Sequence, residues 1–319
     1  MGYLTGHNLG VKKSIYIYSP SGAVRDKNAF KRGVRRLSQL GYDVEVDIDA
    51  LSSHTRFAGD DVTRVNAIAR ACDSGADVAL ISRGGYGITR ILESIDFAGV
   101  ARAVDRGTQF VGISDFTAFQ AAVFAKTGRM TWAGPALCEG FGVGGSDGAM
   151  PDDIMEDCFA DLMQGQGEGT GWRQDRYGFT IPEEHQLASD AILWGGNLSV
   201  LCNLLGTEFF PAVDGGLLFL EDVAEHPYRI ERMFTQLLYS GVIARQKAIL
   251  LGQFTGYQLS SHDKGFRLSS VVEWMRSKTD VPILTNLPYG HVQTKVLLPF
   301  GAKVDLVLSG RDALLLWGH

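Results

Sequence analysis

The first half of the chain alternates short, wholly apolar segments with amphipathic stretches, and that alternation admits few folds. A segment that is apolar at every position needs burial on both faces, which a parallel sheet provides by laying crossover helices on either side. Ser14–Tyr18 reads as the first strand; Phe30, Val34 and Leu37 then recur at helical spacing, and Val44 and Val46 mark the next strand. A helix around Val62–Cys72 leads to a strand at Asp77–Ile81, and a helix around Ile88–Ile95 leads to a strand at Gln109–Ile113. A further helix, about Phe116–Ala125, follows directly. The expectation is a doubly wound α/β domain over residues 14–164.

Between Gly165 and Phe179 the text turns rich in glycine and charge and loses its period, so 165–179 reads as a linker. Beyond it, 180–319 reads as a smaller C-terminal α/β domain with a β-rich end. Ala191–Leu193, Leu217–Glu221, Ala248–Leu251 and Pro282–Thr285 are its expected strands, and Ile230, Met233, Phe234, Leu237 and Leu238 form one apolar helical stripe. Lys295–Leu298, Val304–Leu308 and Ala313–Leu316 are short strands close together, as in a meander or hairpin. Residues 1–13 read as a lead outside the fold.

Composition excludes several classes. With 45% hydrophobic and 21% charged residues in 319, the chain reads as globular, and it has no apolar run approaching the roughly 18–20 residues of a membrane span. Its start lacks an apolar signal-peptide core, so the cytoplasm is the expected address, with no membrane partner. A net charge of −6 with dispersed basic residues offers no footprint for nucleic acid; the cluster Lys31, Arg32, Arg35 and Arg36 reads as the wet face of a helix. Cys72, Cys138, Cys158 and Cys202 are far apart among apolar neighbours, which argues against a disulfide framework and a zinc site.

The chemistry-bearing residues stand where strands end. Ser114 closes the segment Gln109-Phe110-Val111-Gly112-Ile113 and opens a helix, so a sharp turn would lift its hydroxyl clear of the sheet and aim the Asp115 N–H at an oxyanion. The G-x-S-x-G elbow is half met, because Phe116 occupies the second glycine position, and a plain N-cap is the alternative. Ser82-Arg83-Gly84-Gly85-Tyr86-Gly87 also follows a strand. Its glycines fit a turn that supplies one oxyanion donor, or simply a turn with positive φ. Glu221 ends an apolar strand, where ligands gather, or else joins Asp222 and Glu225 in an acidic cluster at a helix start. His291, in a glycine-flexed turn, is the histidine best placed to face a cleft; His226, ahead of Pro227, reads as structural. No histidines have metal-ligand spacing. Asn197 either caps the next helix or binds substrate, and Trp194, Tyr86 and Gly84 either line the pocket or build the core and the turn around it.

These blocks together resemble the LD-carboxypeptidase family, the muramoyltetrapeptide carboxypeptidases, from about Ser14 to Leu316. The blocks run in order: Ser19-Pro20-Ser21-Gly22, Arg56-Phe57-Ala58-Gly59, Arg83-Gly84-Gly85-Tyr86-Gly87, Gly112-Ile113-Ser114-Asp115, Gly195-Gly196-Asn197-Leu198, Phe219-Leu220-Glu221-Asp222 and Gly290-His291. The resemblance implies a Ser114–His291–Glu221 triad in a cleft between two domains, with the Gly85 and Asp115 N–H groups as oxyanion hole. It also implies no metal or other cofactor. The implied activity is release of the terminal D-alanine from murein tetrapeptide during cytoplasmic peptidoglycan recycling, by a homodimer. The related microcin immunity peptidases, which cut an aminoacyl nucleotide toxin with the same triad, are one alternative. A non-catalytic module that binds cell-wall peptide, its glycine loops serving as anion cradles, is another. A substrate carboxylate calls for a cation, and Arg83 and Arg229 stand near the motifs.

Overall fold

The computed structural model describes residues 12–144, 149–175, 179 and 181–318, and for 181–183 the backbone alone. Most of the lead, including His7, lies outside the described residues, as do His319 and linker residues 176–178.

The expected alternation becomes β1 (Ser14–Tyr18), α1 (Lys27–Gln39), β2 (Asp43–Val46), α2 (Asp61–Asp73), β3 (Val78–Ile81), α3 (Phe97–Asp105), β4 (Gln109–Gly112), α4 (Phe116–Thr127) and β5 (Thr131–Ala133). β3 is buried at every residue, as its uniform apolarity requires. Aspartates start four helices: Asp26, Asp60, Asp96 and, ahead of α5 (Asp153–Gln164), Asp152 each accept backbone N–H groups of the first turn. Ile88–Ile95 winds tighter than expected, as two 3₁₀ turns at Ile88–Arg90 and Leu92–Ser94. Ile88, Ile91, Leu92 and Ile95 are nonetheless all buried. The apolar spacing identified the inward face; the segment is too short to sustain an α-helical ladder.

The second half comprises β6 (Gly169–Arg173), β7 (Ile181–Asn197), α6 (Leu198–Leu204), β8 (Leu217–Val223), α7 (Pro227–Tyr239), β9 (Ala248–Thr255), α8 (Leu268–Arg276), β10 (Ile283–Leu284), β11 (Leu298–Phe300), β12 (Lys303–Gly310) and β13 (Asp312–Leu316). Its sheet has the order β10-β9-β8-β7-β12-β13-β6. β7 to β10 pair in parallel and β12, β13 and β6 in antiparallel fashion, which gives the β-rich end. The first sheet has the order β11-β5-β4-β3-β1-β2.

Two segments depart from the sequence-based expectation. The span taken as linker holds β6, an edge strand on β13. A Cβ on Gly169 would come 2.5 Å from the Leu315 carbonyl oxygen, so a glycine that suggested a loop instead allows close strand approach. β11 does not join the terminal hairpin; it pairs antiparallel with β5 and completes the edge of the first sheet, where Pro299 can sit without a ladder donor. The basic cluster on α1 is also partly internal, since Arg36 makes a two-pronged ion pair with the buried Glu156 on α5.

The two sheets meet where α4 packs on the turn after β7. A Cβ on Gly196 would lie 2.5 Å from Thr117 Oγ1, and the same hydroxyl accepts the Asn197 N–H at 2.9 Å with both residues buried. Thr117→Val keeps the shape but orphans that buried N–H. It is expected to cost about 1–3 kcal/mol, read as a lower denaturant midpoint at unchanged slope.

Candidate active site

In the first sheet the chain runs from β1 to its neighbours on both sides, β2 and β3, so a crevice opens at the carboxyl ends of β1 and β3, where ligands of open α/β sheets bind. Three turns fill it: Ser19–Gly22 after β1, Ser82–Gly87 after β3 and Ile113–Ser114 after β4. Gly22 N donates to Gly84 O at 3.3 Å, joining the first two.

Ser114 has φ +68°, a left-handed conformation that costs a non-glycine residue about 1 kcal/mol or more. The turn is tightly packed. A Cβ on Gly84 would lie 2.6 Å from Ser114 Cβ and 2.9 Å from its Oγ, and one on Gly112 would strike the Phe116 ring at 2.6 Å. Phe116 at the second glycine position is therefore accommodated by Gly112, which explains how a half-met elbow still forms. The N-cap alternative fails: α4 has no side-chain cap, and the buried Asp115 carboxylate turns back to accept from Ser21 Oγ and from Ile88 N at 2.9 Å. Burial pushes the Asp115 carboxyl up, against these hydrogen bonds and the Arg64 and Arg83 charges. Asp115 thus fastens the serine turn to the glycine turn. Among the described residues no acceptor engages the Gly85 or Asp115 N–H.

The expected histidine and carboxylate come from the second sheet. Glu221 lies near the end of β8 and is fully buried; His291 follows β10, in a turn made by Gly290 at φ +139°. A Cβ on Gly290 would sit 3.3 Å from Glu221 Cβ, so the glycine lets the histidine turn close over the carboxylate. His291 Nδ1 and Glu221 Oε2 are 2.8 Å apart. Burial acts to lower the imidazole pKa, but the hydrogen bond and charge of Glu221, aided by Glu139 and Asp222, outweigh it and hold the pKa above its ordinary value.

Asn197 resolves into its capping alternative. Its Oδ1 accepts Val200 N at 3.1 Å, and its Nδ2 donates to Glu221 Oε1 at 3.1 Å and Asp222 Oδ1 at 3.0 Å, so it orients the carboxylates and does not face substrate. Asp222, buried beside Glu221, is pushed up to about 6 by burial and then by that neighbouring charge.

Ser114 and His291 line one cavity of about 530 Å³, with Gly84, Gly85, Arg83, Glu139 and Lys295 among its walls. Among the described residues no hydrogen bond joins Ser114 to the His291 ring, a separation common before substrate draws such groups together. Two pocket expectations are corrected. Trp194 is 1% exposed and donates its indole N–H to Gln246, because β7 is buried on both faces at this point. Tyr86 leans on Phe57 under the Arg56 guanidinium, outside the cavity walls. Arg229 is exposed and paired with Glu225. Sequence inspection passed over Glu139 and Lys295; the signal for Lys295 was a lone cation heading the apolar run Val296–Leu298, four residues after His291.

The comparisons agree across both halves. Residues 15–134 match the LD-carboxypeptidase N-terminal domain model, and residues 190–306 match the C-terminal domain model. The crystal structure of muramoyltetrapeptide carboxypeptidase from Oxalobacter formigenes superposes with a TM-score of 0.84 at 34% identity, covering 96% of this chain and 99% of that one. A probable murein peptide carboxypeptidase of Bacillus subtilis is 29% identical over 287 residues, 88% of this chain and 84% of its own. The microcin C7 self-immunity protein of Escherichia coli is 25% identical over 339 residues, 95% of this chain and 93% of its own. With both domain models matched in order around one cavity, the chain belongs to the LD-carboxypeptidase family.

Proposed function

We propose that the protein is a serine carboxypeptidase that releases the terminal D-alanine of murein tetrapeptide through a Ser114–His291–Glu221 triad. The observation that carries this is the half-buried His291, bonded to the buried Glu221, opening into the same cavity as a serine held at positive φ. The names of the murein-directed relatives supply the substrate class.

His291 Nε2 takes the Ser114 proton as Oγ attacks the carbonyl carbon, and Glu221 accepts Nδ1–H, fixing the tautomer. The Gly85 and Asp115 N–H groups receive the oxyanion, worth roughly 3 kcal/mol per donor. Collapse breaks the C–N bond, and D-alanine leaves with the proton from His291. Water, deprotonated by His291, then hydrolyses the acyl-enzyme, and the proton returns to Oγ. Cytoplasmic recycling of cell-wall fragments by a homodimer is the setting we attach to this chemistry. Hydrolysis of an aminoacyl nucleotide by the same triad is a weaker second assignment. A nucleobase calls for an aromatic platform, and the described walls present Arg83, Glu139 and Lys295, with Trp194 in the core.

Ser114→Ala is expected to lower D-alanine release, followed by mass spectrometry, by about four to six orders of magnitude with the melting temperature nearly unchanged. Residual activity above a few per cent would contradict the assignment. The pH profile has a definite sign. His291 serves as base only when neutral, so kcat/KM falls as pH drops through its raised pKa. Glu221→Gln removes the main cause of the rise and leaves burial, which acts the other way, opposed only by the weaker charges of Glu139 and Asp222. The acid limb should therefore move to lower pH while the plateau drops about 10³–10⁴-fold; a limb that stays in place would argue against His291 as the base.

A further inference from the structure

Three charged side chains share the cavity with Ser114 and His291, and they differ in how their charge is answered. Arg83 lies along the glycine turn, its Nη1 2.8 Å from where a Gly85 Cβ would be, and its Nε is 3.5 Å from Glu139 Oε1. Its charge is already met. Lys295 is different. It precedes β11, its residue is 3% exposed, and it faces the cavity. Among the described residues no hydrogen bond or ion pair reaches its ammonium. Burial lowers its pKa, and Glu139, Asp152 and Glu221 oppose that at longer range.

A largely desolvated cation without a bonded partner weakens a fold, and an apolar side chain of similar length would serve the apolar run around it better. Its retention on a cavity wall points to a partner that arrives with the ligand. A carboxypeptidase substrate carries one by definition: the free carboxylate of the leaving residue is only three bonds from the carbonyl carbon under attack. That carboxylate must enter the same cavity as Ser114.

We propose that Lys295 receives the terminal carboxylate of the substrate and so makes this an exopeptidase site. The proposal rests on the peptidase assignment above and adds a specificity residue to it. An amide-terminated peptide would displace cavity water from the ammonium without supplying a counter-charge, and the penalty of that unmade interaction is the source of discrimination.

The test compares wild type, Lys295→Met and Lys295→Arg on an L-Ala-γ-D-Glu-meso-diaminopimelate-D-Ala peptide and on the same peptide with a C-terminal amide. Wild type is expected to favour the acid by about 100-fold or more in kcat/KM. Lys295→Met should reduce that ratio to within about threefold of unity, mainly through KM for the acid, and Lys295→Arg should restore part of it. A melting temperature at or above wild type would show that Lys295→Met is folded. Equal loss on acid and amide, or no loss on either, overturns the proposal. So does a Lys295→Met effect that vanishes when lysine replaces diaminopimelate, because the carboxylate recognised would then be on the third residue.

Should wild type cleave neither peptide, the peptidase assignment fails, and a second measurement still decides the role of Lys295. Acetylation of Lys295 by acetic anhydride, mapped by mass spectrometry, is expected to be suppressed by N-acetyl-D-alanine and not by N-acetyl-D-alaninamide. Equal protection by both, or by neither, overturns the proposal.

Discussion

The candidate site depends on the seam where Thr117 meets Gly196 and Asn197. Ser114 belongs to one sheet and Glu221 to the other, so their relation is only as firm as the contact between those sheets. Thr117 lies in the first turn of the helix that Ser114 leads into, and its hydroxyl accepts the Asn197 N–H. Asn197 in turn donates to Glu221, and Glu221 holds His291. A continuous buried chain of hydrogen bonds thus runs from the serine turn to the imidazole. Gly196 makes this possible, since any Cβ there would collide with Thr117. Networks of this kind position groups well because every member is satisfied, and for the same reason they tolerate the loss of no member.

Much of this was legible because it follows local rules. Uniform apolarity announced β3, helical spacing located the stripe on α7, and a serine between an apolar strand and a helix marked the turn. What escaped depends on partners distant in the text. β11 resembles the strands after it, yet pairs with β5, about 165 residues earlier, because the first sheet needs an edge partner there. Gly169 read as a loop residue because the space it relieves belongs to the strand it pairs with. Trp194 and Asn197 were set beside the pocket by their place at a strand end. β7 is buried at every residue from Leu193 to Asn197, so a place at that strand end did not say whether a side chain turns into the cavity or the core.

Electrostatics divides the labour between the sheets. The first supplies mainly backbone: the glycine-rich turn after β3 and a helix start, whose N–H groups carry partial positive charge without titrating. The second supplies the imidazole of His291 and the carboxylate bonded to it. Asp115 and Asp222 are the buried acids at the two ends of this arrangement, and each is tied to backbone N–H groups. Both act on geometry. Asp115 draws the glycine turn against the serine, and Asp222 shares Asn197 with Glu221, so the amide between the two carboxylates cannot rotate away from either.

The departures from local rules gather on one wall. Ser114 adopts a backbone conformation that its side chain disfavours, Asp115 declines the capping role that four other aspartates take, and Lys295 places an ammonium at the head of an apolar run. The backbone strain at Ser114 and the unbonded ammonium of Lys295 each weaken the isolated fold, whereas Asp115 exchanges the cap for bonds to Ser21 and Ile88 that hold the serine turn in place. Natural sequences carry such conflicts mainly where function requires them. Elsewhere in the described chain, positive φ in residues such as Thr55 and Lys264 is absorbed by turns remote from this cavity. Independently of any resemblance, then, these departures locate the cavity and say what it offers: a half-buried hydroxyl, donors held open beside it, and an ammonium that no anion among the described residues is bonded to.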